Sequence, residues 1–285
     1  MRKVLLATTA LVAAAGVTAA NADISISGNY EWEYTTNDAG TTWGDDGHIN
    51  ITAVNAADNG LTFTAKSVIT NNSGANASNT EANYISVAGD FGTIILGDYD
   101  DSAATAMDGA LGANNDIETQ GGNTGASTVS GIGGAADIIY MSPSLSGFKV
   151  GVSKDLTDDD TDQDDGKTDM AITYSIGGAS VYYGNADDDT SMGIKGSIAG
   201  LTVAIGNKNQ SGTTVKANDV AVKYTLANGV TLAAYSANGT TAAGAKAKAS
   251  NIGASYQLVP GVKLNAESGK LDDANYTWVA VNMSF

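Results

Sequence analysis

Short and long connections alternate along this chain between strands that are apolar on one face and polar on the other, and that order restricts the fold more than any single motif. In the stretch after residue 22, Ile24, Ile26, Tyr30, Trp32 and Tyr34 fall on one face, with Ser25, Ser27, Asn29, Glu31 and Glu33 on the other. Phe148, Val150 and Val152 oppose Lys149, Gly151 and Ser153; Met170, Ile172, Tyr174 and Ile176 oppose Asp169, Ala171, Thr173 and Ser175. Leu61 to Lys66, Val220 to Tyr224, Ile252 to Leu258 and the final run to Phe285 repeat the pattern. Tight links fall near residues 55–60, 89–92, 143–147, 177–179, 199–200, 227–229 and 259–261. Longer polar or Gly-rich links fall near 35–47, 71–80, 98–135, 156–167, 184–191, 207–217, 236–249 and 269–274.

This bookkeeping predicts sixteen antiparallel strands, all-β, with every short turn on one side and every long loop on the other. A soluble sandwich has no reason to sort its loops by side, whereas a transmembrane β-barrel does, because one rim faces the compartment from which it inserts. The strands also suit that setting, with an apolar exterior and a wet interior. All four Phe (Phe63, Phe91, Phe148 and Phe285) lie at or near the short-turn side, and Tyr140, Tyr174, Tyr224 and Tyr256 each precede a short turn by three residues. Such rings belong where lipid tails meet head groups. Pro143 and Pro260 fall in short turns, where no ladder donor is lost.

The start of the chain reads as an export signal. Arg2 and Lys3 precede an apolar run to Val17, and Ala20-Asn21-Ala22 fits a small-x-small cleavage site. The expected division is therefore a signal peptide at 1–22 and a barrel at 23–285, bound for a bacterial outer membrane through the periplasm. The apolar run is shorter than the ~20 residues of a spanning helix.

Composition removes several classes of function. With 31 acidic and 14 basic side chains, the formal charge is −17, the wrong sign for a phosphate-binding surface, so no nucleic-acid partner is expected. No Cys excludes a disulfide, a thiolate nucleophile and a zinc–thiolate site. One histidine, His48, with no G-x-S-x-G motif, argues against a barrel hydrolase. No catalytic residue, resident metal or cofactor is expected. Calcium has one place to be considered, the acidic extracellular loops. Asp160, Asp162 and Asp164 have alternate ligand spacing, but Gly166 comes one position late for an EF-hand and Ala171 stands where its Glu would be. A solvated loop, bridged by divalent ions to lipopolysaccharide or a neighbour, fits better, and Asp187-Asp188-Asp189 is read the same way.

Two segments carry a family resemblance. Residues Asn83-Tyr84-Ile85-Ser86-Val87-Ala88-Gly89-Asp90-Phe91-Gly92-Thr93-Ile94-Ile95-Leu96-Gly97 resemble the hairpin entering the third loop of the sixteen-stranded, trimeric general porins of Gram-negative bacteria. The segment from Ile139 to Ser153 is similar to the hairpin that follows that loop, and the ending in Phe285 resembles the signal read by outer-membrane assembly machinery. The resemblance implies that 98–135 folds into the lumen as a constriction, that three copies associate, and that small hydrophilic solutes and ions diffuse through a water-filled pore.

The chemistry of such a pore lies in its fixed charges. Candidate constriction acids in the loop are Asp98, Asp100, Asp101, Asp108, Asp116 and Glu118. Alternation turns Lys66, Lys149, Lys195, Lys223 and Lys263 inward as wall bases, and places His48 near the outer mouth. General porins often set Arg opposite the loop acids, but the one Arg here is Arg2, in the signal segment, and no Lys or Arg occurs from 67 to 148. A carboxylate ~8 Å from the ion path is worth roughly 0.5 kcal/mol in a water-like dielectric, so three unpaired ones give about a tenfold bias before screening. The expectation is a modest cation preference, absent if the acids pair with the wall lysines. Two alternatives stay open at this level: a substrate-selective porin, and a structural or adhesive surface barrel with a closed lumen.

Overall fold

The computed structural model describes residues 22–70, 82–108, 132, 134–156, 166–210, 215–240 and 246–285. Sixteen strands form one closed antiparallel barrel. They are β1 (Asp23–Asn37), β2 (Gly40–Ala56), β3 (Thr62–Thr70), β4 (Asn83–Gly89), β5 (Gly92–Tyr99), β6 (Ala136–Met141), β7 (Phe148–Lys154) and β8 (Thr168–Ile176), then β9 (Ala179–Ala186), β10 (Asp189–Ile198), β11 (Leu201–Gln210), β12 (Val215–Thr225), β13 (Thr231–Thr240), β14 (Lys246–Val259), β15 (Val262–Leu271) and β16 (Ala274–Ser284). Among the described residues one short helix, α1 (Ala103–Asp108), interrupts the series between β5 and β6.

Each strand pairs with its chain neighbours, and β1 closes the ring on β16, with Tyr30 opposite Met283 and Asn37 opposite Tyr276. The terminal residue completes that seam. The Gly28 N–H donates to the Phe285 carbonyl at 2.9 Å, and the Phe285 N–H donates back at 3.0 Å. Closure leaves no edge strand, so the ladders of the wall are satisfied inside the ring, with register breaks at Leu96/Tyr99 and Gln257/Val259.

Burial follows the predicted alternation with the outside turned apolar. Ile85, Ile94, Leu96, Val150, Ile172, Val181, Ile194, Ile205, Val220 and Ile252 are all exposed, and they occupy one face of their strands. A continuous apolar exterior of this kind is stable in hydrocarbon and not in water. Rings mark its lower edge: Phe148 stacks on Tyr174 at 4.2 Å between centroids, and the Tyr140 hydroxyl donates to the Phe91 carbonyl at 2.8 Å.

The seven short turns fall where the alternation placed them. On the long-loop side the links expected at 207–217 and 236–249 shorten to 211–214 and 241–245, and three others shrink further. The links expected at 35–47, 184–191 and 269–274 are two-residue turns at the tips of tall hairpins, bridging Asn37 to Gly40, Ala186 to Asp189, and Leu271 to Ala274. Asp187 and Asp272 take positive φ there, a conformation that Asp tolerates better than most side chains. Above the apolar band both faces of a strand meet water, so hydrophobic alternation fades while the backbone ladder continues. The segment expected as a loop at 98–135 is also shorter by its first residues, because β5 runs to Tyr99.

Candidate functional site: the barrel lumen

The inner face is built from the alternates of the apolar exterior. On β7 these are Lys149, Gly151 and Ser153; on β8, Asp169, Ala171 and Thr173; on β9, Tyr182, Gly184 and Ala186. Helix α1 lies on this inner face, against β6 to β9. The Ala103 N–H donates to Ser153 Oγ at 2.8 Å, and the Tyr182 hydroxyl donates to the Ala104 carbonyl at 2.8 Å. Met107 packs with Ala171 and Tyr182, and Ala104 with Ile132 and Ala186. Gly151 permits the approach: a Cβ there would lie 2.6 Å from Met107 Sδ and 3.1 Å from Ala103 Cβ. Ser102 caps the helix by accepting from the Thr105 N–H at 3.3 Å. The Ser-Ala-Ala-Thr-Ala-Met run was the available signal for this helix, which the strand-based reading did not anticipate.

Of the expected loop acids, Asp100 and Asp101 lead from β5 into α1, close enough to Tyr99 for both to act on its hydroxyl electrostatically. Burial pushes the Asp101 carboxyl up from the usual carboxylate range. Asp98 is elsewhere. It lies in β5 opposite Asn83 and shares the outward face of Ile94 and Leu96, so it does not line the lumen. Its placement is a correction to the sequence reading, and its cause is the extension of β5 through Gly97, whose φ of 117° lets the backbone pass within 2.6 Å (from a Cβ position) of the Asn83 carbonyl. Asp108 ends α1, and its side chain lies outside the described residues, as do Asp116, Glu118, residues 1–21 of the expected signal peptide (1–22) and the acidic run from Asp158 to Asp165. Asp187 and Asp188 form the tip of a hairpin, with Asn185 Nδ2 donating to the Asp187 carbonyl at 2.7 Å.

The five wall lysines hold inward positions. Lys66 shares its face with Thr64 and Val68, Lys149 with Gly151, Lys195 with Ser191 and Gly193, Lys223 with Ala221, and Lys263 with Asn265 and Glu267. Lys195 and Lys223 are neighbours across β11, opposite Ala204 and Thr202. His48 is also inward but sits midway along β2 rather than at the outer mouth, because β2 rises well above it to Gly40. Its Nε2 is 3.7 Å from Asp46 Oδ2, and its Nδ1 is 3.3 Å from Asn29 Nδ2.

The lumen also holds acids that the sequence reading left unassigned. Glu31 and Glu33 on β1, Asp46 on β2, Asp169 on β8, Asp219 on β12 and Glu267 on β15 all occupy inward positions. Four of them accept hydrogen bonds from neutral donors on a neighbouring strand. Trp278 Nε1 donates to Glu33 Oε2 at 2.8 Å, the Tyr235 hydroxyl to Asp219 Oδ2 at 3.3 Å, the Tyr276 hydroxyl to Glu267, and the Asn282 amide to Glu31. A neutral donor orders a carboxylate without cancelling its charge. In the ring of strands β15, β16 and β1 lie half-way round from β7, β8 and β9. The helix therefore faces the strands of Glu31, Glu33 and Glu267 across the lumen, while Asp100 and Asp101, at the end of β5, lie beside Tyr84 and Tyr99.

A family model described as Gram-negative porin matches residues 7–276. The chain belongs to the Gram-negative porin family. No curated protein matches the sequence. Solved porin structures share the fold at low identity. Salmonella typhi OmpF in complex with daunomycin superposes with a TM-score of 0.74 at 12% identity, covering 92% of this chain and 97% of that one. A mutant of Rh. blastica porin gives 0.73 at 18%, covering 92% and 100%. The trimer form of OmpT, an outer membrane protein of Vibrio cholerae, gives 0.72 at 14%, covering 93% and 99%. This porin is thus a protein of the Gram-negative outer membrane, and its apolar band is the surface that spans the bilayer.

Proposed function

We propose that this porin passes small hydrophilic solutes and ions down their gradients with a modest preference for cations, set chiefly by wall carboxylates and only in part by the inserted loop. The observation that carries the reading is the placement of carboxylates at inward positions on several strands and at the entry to α1. Asp100 and Asp101 lead from β5 into α1 beside Tyr99; Glu31 and Glu33 on β1 and Glu267 on β15 are held by Asn282, Trp278 and Tyr276. Three such charges bias cations over anions by roughly tenfold before screening. No bond is made or broken in this transport, and His48 lies beside an acid and an amide, Asp46 and Asn29. The likeness to the trimer form of Vibrio cholerae OmpT supports a homotrimer as the working unit, its exterior meeting lipid and lipopolysaccharide.

Solute influx into proteoliposomes tests this directly. A cationic amine should enter several-fold faster than a carboxylate of matched size, with a neutral sugar between them. The E31Q/E33Q/E267Q variant should bring the three rates together. Equal rates in the unsubstituted protein would remove the cation preference and keep the pore. No influx from folded protein would support a closed surface barrel instead.

A further inference from the structure

Charge in this lumen is sorted along the pore axis rather than across it. The five inward lysines lie low, each one to four residues from the short-turn end of its strand: Lys66 above Thr62, Lys149 above Phe148, Lys195 above Ile198, Lys223 above Thr225 and Lys263 above Val262. The inward acids lie higher. Glu267 is five residues above Val262, Asp219 six above Thr225, Asp169 seven above Ile176 and Asp46 ten above Ala56, with Glu31 and Glu33 eight and ten above Asp23. Asp23 shares the face of Glu31 and Glu33 but stands at the short-turn end of β1 itself, outside the upper belt; Glu31 lies in the same hydrogen-bonded row as Lys263, with Asn282 between them. Lys208 is the exception, high on β11 opposite Ser191 and nearly buried. Between these five lysines and the six acids from Glu31 to Glu267 the mean offset is about five to six residues, or about 14 Å at a strand tilt of ~40°. That exceeds the ~8 Å Debye length at physiological salt, so an ion meets the two belts in succession.

We infer that the lumen is an axial bipolar path, cation-rich at its outer half and anion-rich at its short-turn mouth, and that it rectifies. The inference rests on the open-pore reading but not on the net cation preference. The upper carboxylates concentrate cations and the lower ammonium groups concentrate anions. When the long-loop side is positive, cations are driven down through the acidic belt and anions up through the basic one. Both accumulate where the belts meet, and conductance rises. Under the opposite polarity both are drawn away from that level, and conductance falls. The same order gives a zwitterionic solute a preferred orientation, its ammonium toward the acids and its carboxylate toward the lysines.

The test is a single-channel current–voltage curve in symmetric KCl. Protein is added to one side, so that the polar loop rim stays on that side while the short-turn end inserts. At 0.1 M KCl the conductance with the loop side positive should exceed that at the opposite polarity by roughly twofold, and the ratio should fall to one at 1 M, where the Debye length is ~3 Å. The K66Q/K195Q/K223Q variant should lose the asymmetry at 0.1 M while gaining cation selectivity. A linear curve from open channels at 0.1 M, or asymmetry of the opposite sign, would overturn the inference and leave the porin intact. Channels that never open would remove the porin reading itself, and the inference with it. The salt series on the unsubstituted protein keeps the test decisive if the triple variant does not fold.

Discussion

Carboxylates on the lumen wall are ordered by neutral donors, and the pairing of Trp278 with Glu33 is the most enclosed example, the indole being 0% exposed. Replacing Trp278 with Phe removes the N–H and keeps most of the ring. Leaving a polar group there without its donor costs about 1–3 kcal/mol. The thermal midpoint of the folded barrel should therefore fall while cation preference, which depends on the charge of Glu33, is retained. Asp98 and Asp101 give a sharper contrast between residues three positions apart. Asp98→Asn should leave reversal potential unchanged, because Asp98 faces outward; Asp101→Asn should reduce cation preference. Burial raises the folded-state affinity of Asp101 for its proton, so its charge is present above that raised value and disappears as pH falls through it. Cation preference should consequently begin to decline above the range of an ordinary carboxylate, and Asp101→Asn should remove that early part of the titration. The alternation in the sequence was sufficient to turn five lysines inward, yet the same alternation turned Glu31, Glu33 and Glu267 inward too. Those three acids are scattered singly on strands, whereas the acids of the long loop stand close together in the chain.

At the scale of elements, α1 is positioned by small residues on both sides of its contact with the wall. Gly151 leaves room for Met107 and Ala103, and Ser153 and Tyr182 supply the polar attachments. Gly151→Leu should lift the helix from β7 and alter single-channel conductance while the barrel still forms. Ser153→Ala should act more gently, removing one hydrogen bond worth about 1 kcal/mol and adding open-channel noise. Strand count and the short turns were legible because each membrane-spanning strand must show lipid an apolar face. The tall hairpins at Asn37–Gly40, Ala186–Asp189 and Leu271–Ala274 were not, because polar side chains on both faces carry no periodic signal. The helix was hidden for another reason: six residues pack on a distant wall, and that contact has no counterpart in local spacing.

The whole molecule depends on one seam, where β1 meets β16. Phe285 joins it by two backbone hydrogen bonds to Gly28. A Cβ on residue 28 would stand 2.6 Å from both the Phe285 ring and the His48 carbonyl. Removing Phe285, or introducing Gly28→Val, should lower the yield of folded barrel, read as loss of the heat-modifiable band on unboiled gels, whereas Phe91→Ala at an exposed turn should be tolerated. The closed ring joins two surfaces: an exterior that belongs in lipid, and an inner wall that carries carboxylates on several strands. Reversal potential under a tenfold KCl gradient in a planar bilayer measures the effect of those carboxylates most directly. A cation-selective potential that moves towards zero in the E31Q/E33Q/E267Q variant is the predicted result. An anion-selective potential, or a cation-selective one that the substitutions leave in place, would contradict it.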